Sequence, residues 1–351
     1  MIAQENFSRS CHRWIVFGSS YISTLLVLGL LFGFPRLFSI LLEVYRESRA
    51  STGAVHSIMI GVFYCTGIIN GPVTAKIGLH KAGFLGGALA GLGWTISFFS
   101  TSILYLDFSI GVFTGLGLSF VYISSVSVVN HHFQKKSGLV VLSILSTSNG
   151  IGALIYPYIF TYCVDQFGIR GTFLLIGGVL LNSVPMSFLW QIPKNREKQE
   201  SSSYDLGKTD VRKRTLVTSA AFTVLSMVDG FVTYMTLCSL IGLMVGATVA
   251  SVSVVTLRIV GSENLTSGIG IQLTLSGVGL FLTGPVNGFI KDTTGSYRFA
   301  IWSSVGSLAA STLLFLFALV WKRRLGHEKK KDGKYKTENT DAETLEFIQQ
   351  S

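Results

Sequence analysis

From Trp14 to Phe34 the chain runs without a single Asp, Glu, Lys or Arg. At 1.5 Å of rise per residue, a helix of about 20 apolar residues crosses a hydrocarbon core of about 30 Å. The same feature returns at His56 to Val73, Ala82 to Ser102, Phe108 to Val129, Leu139 to Tyr162 and Thr172 to Trp190, none of which carries a formal charge. It returns again at Ile269 to Ile290 and at Ala300 to Trp321. Between them, Leu216 to Leu257 is twice as long as one helix needs, so it reads as two helices divided near Tyr234. Lipid offers backbone N–H and C=O groups no water, so such stretches must close their hydrogen bonds internally, as helices do. The expected fold is all-α, a polytopic membrane bundle of ten helices.

Composition agrees. Only 13% of the 351 residues are charged and mean hydropathy is +0.53, whereas ordinary soluble domains carry roughly 25% charged residues. A net charge of +10 does not indicate nucleic acid, because the basic residues lie between the apolar stretches rather than along one face. They orient the chain instead. With both termini cytosolic, 22 of the 28 Lys and Arg fall inside and five in outer loops, while Arg36 lies near the end of the first helix. The polar segment 191–215 reads as a cytosolic linker. Residues 1–190 then form a six-helix bundle, 216–321 a four-helix partial bundle, and 322–351 a charged cytosolic tail.

Two stretches recur within the chain. Ser125-Val126-Ser127-Val128-Val129 reappears as Ser251 to Val255, an offset of 126. Gly150, Gly152, Pro157, Asp165, Gly168, Arg170 and Phe173 have counterparts in Gly277, Gly279, Pro285, Asp292, Gly295, Arg298 and Phe299, with an offset of 127 between Gly150 and Gly277. Agreement in register suggests two related halves, as in carriers built from parallel repeats. The same offset would place copies of helices one and two at about 141–200, which helices five and six and the linker already occupy. The later half is therefore expected to match positions three to six of the first, making six plus four.

Several motifs on this scaffold resemble the monocarboxylate transporters of the major facilitator superfamily. They are Phe34-Pro35-Arg36; Gly71, Pro72, Lys76, Gly78 and Lys81 at the second cytosolic turn; Phe133, Lys135 and Lys136 through Gly150 and Gly152; and Gly284-Pro285 with Asp292, Gly295, Ser296 and Tyr297. The resemblance implies a secondary carrier for a small organic anion, a monocarboxylate or a relative of one, working by alternating access with proton symport. It implies a plasma-membrane address and, in some members, an ancillary single-span glycoprotein partner. Three departures stand out. The first helix begins Cys11-His12-Arg13-Trp14, keeping only the family's tryptophan. Ala75 replaces an acidic residue common in the wider superfamily. Nothing matches the seventh and eighth helices, the latter of which supplies an Asp and Arg pair in proton-coupled members. A different reading therefore stands beside the first: a truncated isoform or pseudo-transporter that moves nothing itself and pairs with or regulates a full-length carrier.

Arg36 is the sharpest candidate, since a cation inside an apolar helix must face a cavity, a partner or the interface. By resemblance it stands where a lysine engages the substrate carboxylate. Guanidinium can bind that group through two parallel bonds, although it cannot pass a proton on. The alternative is that its long side chain snorkels to the headgroups. Asp229, the acid inside a later helix, is a candidate proton carrier or a structural hydrogen-bonding group. Lys76, Lys81, Lys135 and Lys136 either pair with acids at the bundle ends or anchor to anionic lipid. His56, His131 and His132 read as interfacial. No GxGxxG, Walker, HExxH or nucleophile-elbow context appears, so no enzyme activity, cofactor or metal is expected. Reporter fusions test the topology: an alkaline phosphatase placed after Trp321 should be inactive and a fluorescent protein there bright, as cytosolic exposure requires.

Overall fold

The computed structural model describes residues 2–133, 137–191, 256, 260, 264–294 and 306. Among these residues the chain is helical and contains no strand. The first helix, α1, spans Ile2–Tyr45 and ends at Arg46, whose φ of 53° turns the backbone out of the helix. Helix α2 (Arg49–Cys65) starts at Ser48, whose hydroxyl accepts from the Ser51 N–H, a side-chain cap. It runs into α3 (Gly67–Ile77) across a bend of 52°. Gly78, at φ 93°, reverses the chain into α4 (Leu79–Ile96), a conformation that side chains with a Cβ rarely adopt.

A short α5 (Ile103–Leu106) leads through a π-helical segment, Asp107–Thr114, into α6 (Gly115–His132). The wide turn shows in Thr114, whose hydroxyl donates five residues back to the Ser109 carbonyl at 3.2 Å. Helix α7 covers Ser137–Leu181, 45 residues and about 68 Å if straight, more than twice the membrane thickness. It is not continuous: Gly168 adopts φ 68° and ψ 177°, open essentially only to glycine, and divides it into two arms. A short α8 (Ser183–Ser187) ends this region, and α9 spans Leu265–Thr294.

Contacts fix the direction of each helix. Tyr21 meets Thr147, Gly29 meets Gly152 and Arg36 meets Thr161, so α1 and the first arm of α7 are parallel. Phe17 touches Phe133 while Thr24 meets Ser125, making α6 antiparallel to α1. Helix α4 is antiparallel to α6, because Gly86 lies on Phe120 and Gly93 on Thr114. The second arm of α7 with α8 opposes α4, with Gly91 against Leu181 and Gly83 against Trp190. Chain direction therefore alternates along the bundle, with the reversal inside α7 at Gly168.

These approaches are close because the contact residues lack side chains, the small-residue packing typical of membrane helices. A Cβ on Gly152 would stand 2.5 Å from Gly29 Cα, and one on Gly117 would stand 2.5 Å from Ala90 N. The core between them is apolar and aromatic: Phe34, Phe63, Trp94, Phe160, Phe173 and Trp190 are almost wholly buried, with Trp94 lying against Phe160 and Phe173. Trp190 ties the end of this region back to α1 by donating to Ser19 Oγ at 3.1 Å.

Position 150 gives an internal control for the packing argument, because a Cβ on Gly150 meets nothing within 4 Å. Gly152→Val should cost about 1–3 kcal/mol through overpacking, read as a fall in melting temperature of the detergent-purified chain, whereas Gly150→Val should leave it nearly unchanged.

Candidate functional site

Arg36 lies about four-fifths of the way along α1, one residue beyond Pro35. Its side chain is exposed in the protein, and its Nε donates to Thr161 Oγ1 at 3.0 Å. Thr161 gives its own hydroxyl proton to the Pro157 carbonyl at 2.9 Å, so its oxygen is oriented to accept from Arg36. Among the described residues the guanidinium makes no other hydrogen bond. With Nε anchored, the two terminal NH2 groups remain together on one edge, the edge that a carboxylate can engage through two parallel bonds. Tyr21 and Thr147 share a hydrogen bond of 3.1 Å on the same α1–α7 seam. The seam thus carries two polar pairs among glycine contacts and an apolar core.

The second-turn motif is split by the fold. Gly71 and Pro72 sit within α3, with Gly71 buried and Pro72 exposed. Lys76 is exposed in the last turn of α3, where a cation complements the helix C-terminus. Gly78 makes the reversal, and Lys81 is exposed in the first turn of α4. Phe133 closes α6, is 9% exposed, and packs against Trp14 at 5.5 Å and Phe17 at 6.1 Å between ring centroids. Gly284, Pro285 and Asp292 fall within α9. Lys135, Lys136, Asp229, Gly295 and Tyr297 lie outside the described residues, as do the expected linker and charged tail.

The sequence alone missed two connections. The first is at the bend between α2 and α3. There Thr274 of α9 inserts its hydroxyl into the backbone ladder: it accepts from the Ile68 N–H at 2.9 Å, and its one proton faces the Tyr64 carbonyl and that of Gly270 in its own helix, each at 3.2 Å. Ile68 and Tyr64 are four residues apart and would bond to each other in an unbroken helix, so an inserted side chain accounts for the bend. Gly67, Gly71 and Gly270 make this approach feasible, since a Cβ on Gly71 would stand 2.9 Å from the Thr266 carbonyl. With Gly71 against Ser267 and Tyr64 against Gly277, α9 runs antiparallel to α2 and α3. The second is at His56, whose Nε2 lies 3.0 Å from the Leu31 carbonyl oxygen.

The family profile described as Major Facilitator Superfamily matches residues 14–234. The chain belongs to the Major Facilitator Superfamily. Such a chain is a multi-pass helical membrane protein, in keeping with helices long and apolar enough to span a bilayer at Cys11–Tyr45, Leu79–Phe99, Ile103–His132 and Val140–Ser187 and with the bent pair Ser51–Cys65 and Gly67–Ile77. Within the superfamily it is similar to monocarboxylate transporters. It is 28% identical over 214 residues to monocarboxylate transporter 2 of Meriones unguiculatus, covering 58% of this chain and 43% of that protein. It is 31% identical over 173 residues to human monocarboxylate transporter 6, covering 48% and 33%. With monocarboxylate transporter 12 of Xenopus laevis it shares 25% identity over 384 residues, covering 80% and 82%. The chain thus spans less than half the length of the first two. Its aligned stretch with the third is longer than the chain's own 351 residues, so that alignment opens gaps within it.

The hydroxyl at position 274 is open to test by isosteric replacement. Thr274→Val should leave the Ile68 N–H without its partner at the bend and cost about 1–3 kcal/mol, seen as a lower melting temperature. Thr274→Ser, which keeps the hydroxyl, should stay near the parent.

Proposed function

We propose that the chain is a secondary carrier that moves a small organic anion, a monocarboxylate or a close relative, through a path between two bundles by alternating access. The observation that carries this reading is Arg36, held at Nε by Thr161 with its carboxylate-binding edge left unoccupied among the described residues. Two features weigh against snorkelling as its whole purpose: the side chain is tethered within the α1–α7 seam, and the tether's acceptor is itself oriented by Pro157. The similarity to proteins named monocarboxylate transporters supports the same substrate class. Both termini would be cytosolic, and the plasma membrane is the proposed address. Proton coupling, with Asp229 as the carrier, and an ancillary single-span glycoprotein partner belong to this proposal too.

Helix direction supports the proposed six-plus-four arrangement. With the Lys76 to Lys81 turn in the cytosol, the antiparallel packing of α9 on α3 starts α9 on that side. The region up to Trp190 also ends on that side. An even number of crossings must then lie between them, which favours two helices in Leu216 to Leu257.

The test is uptake of radiolabelled lactate, pyruvate and larger carboxylates by proteoliposomes holding the full chain. The parent should exceed empty vesicles, and Arg36→Ala should lose at least about ten-fold in uptake, the usual size of one lost charge-assisted hydrogen-bonded contact. Arg36→Lys should retain part of it. Uptake equal to that of empty vesicles by both parent and variant refutes the carrier reading. If the inactive chain also co-purifies with a full-length relative, the reading as a non-transporting partner takes its place.

A further inference from the structure

Pro35 lies inside α1 and has no N–H. It therefore cannot donate to the carbonyl four residues back, that of Leu31, and its ring crowds that group. In a membrane bundle an unpaired carbonyl has no water to turn to. Leu31 is only 2% exposed. A side chain from another helix supplies the missing donor: Nε2 of His56, on α2, lies 3.0 Å from the Leu31 carbonyl oxygen. A carbonyl only accepts, so Nε2 carries the proton.

The same imidazole lies flat on Phe34, with ring centroids 4.7 Å apart and planes 1° from parallel. Phe34 is fully buried. One side chain thus bonds the carbonyl before the proline and clamps the ring next to it, and the residue after the proline is Arg36. A serine in its place could donate but not stack, and a phenylalanine could stack but not donate. The sequence reading of His56 as an interfacial residue misses this, because the signal is not in its own surroundings. It lies in the spacing of Leu31 and Pro35 on a different helix.

We propose that His56 is a positioning residue for Arg36: by supplying the hydrogen bond that Pro35 removes and stacking on Phe34, it fixes the course of α1 across Pro35 and so the place from which the guanidinium reaches Thr161 and a bound carboxylate. This rests on the reading of Arg36 as the anion-binding group and adds to it the device that fixes where that group stands. The interaction is specific to the proline. If residue 35 could donate its own N–H to Leu31, the histidine would no longer be needed to hold the helix there.

That dependence gives a double-mutant test in the full chain. The first readout needs no substrate. Arg36→Cys is introduced with Cys11, Cys65, Cys163 and Cys238 replaced by serine, and its rate of modification by a cationic methanethiosulfonate is measured with and without His56→Phe, each in the Pro35 and the Pro35→Ala backgrounds. His56→Phe should change the rate about five- to ten-fold beside Pro35, the scale of one lost hydrogen bond to a buried group. In the Pro35→Ala background it should change the rate less than about two-fold. His56→Gln, which keeps a donor, should fall nearer the parent and also serves if the phenylalanine variant does not fold.

The second readout uses Arg36 intact and labelled lactate uptake. His56→Phe should raise KM about ten-fold with turnover little changed, since the anion site is misplaced rather than the transport cycle broken. Equal effects of His56→Phe in both backgrounds, or no change in reactivity at position 36, overturn the proposal. So does coupled reactivity with an unchanged KM in a chain that transports. Coupled reactivity in a chain that takes up no carboxylate leaves the placement of residue 36 by His56 standing and refutes the carrier reading instead.

Discussion

Inside lipid a polar backbone group has only the protein to bond to, and the described part of this chain is organised around that requirement. Helices meet it along most of their length. At two of the places where the ladder is interrupted, a side chain from another helix enters it: His56 at the Leu31 carbonyl and Thr274 at the Ile68 N–H. The second joins segments about two hundred residues apart. These two irregular points are also connections between helices, and the best-defined candidate for ligand binding, Arg36, is adjacent to one of them.

Close approach makes those bonds reachable. A hydroxyl is short, so Thr274 can enter the α2–α3 ladder only because Gly67, Gly71 and Gly270 let the two backbones come together. On the other side of the bundle the same economy of side chain at Gly29 and Gly152 sets the α1–α7 seam. Thr161 is then within reach of the guanidinium. Glycine here has a packing role. At Gly78 and Gly168 it has another, because the positive φ of each marks a reversal of the chain.

Much of the fold was legible in the sequence because lipid imposes a length and a composition on each span. The stretch from Trp14 to Phe34 lies within α1, Ala82 to Ser102 covers most of α4 and the turn beyond it, and Phe108 to Val129 lies within the π segment and α6. The division between Tyr162 and Thr172 was also visible, since Asp165, Gly168 and Arg170 interrupt the apolar run. The bend at Thr66 was not visible. The local signal within His56 to Val73 is Pro72, six residues further on, whereas the hydroxyl that enters the ladder lies about two hundred residues away. The π-helical turn from Asp107 was likewise hidden, as hydropathy does not distinguish five-residue from four-residue bonding.

The candidate site divides in the same way. By itself the sequence determined that Arg36 must be accommodated within an apolar helix and that the chain crosses the membrane repeatedly, both from the cost of placing charge or backbone in hydrocarbon; its motifs resemble those of a carrier superfamily. Only the tertiary structure decided that Thr161 holds Nε of Arg36, and that Nε2 of His56 meets the Leu31 carbonyl of the same helix. The physical reason is the range of the forces involved. Transfer from water to lipid acts on each residue wherever it stands and can be read one segment at a time, whereas a hydrogen bond needs its two partners within about 3 Å, and which segments come that close is settled by packing.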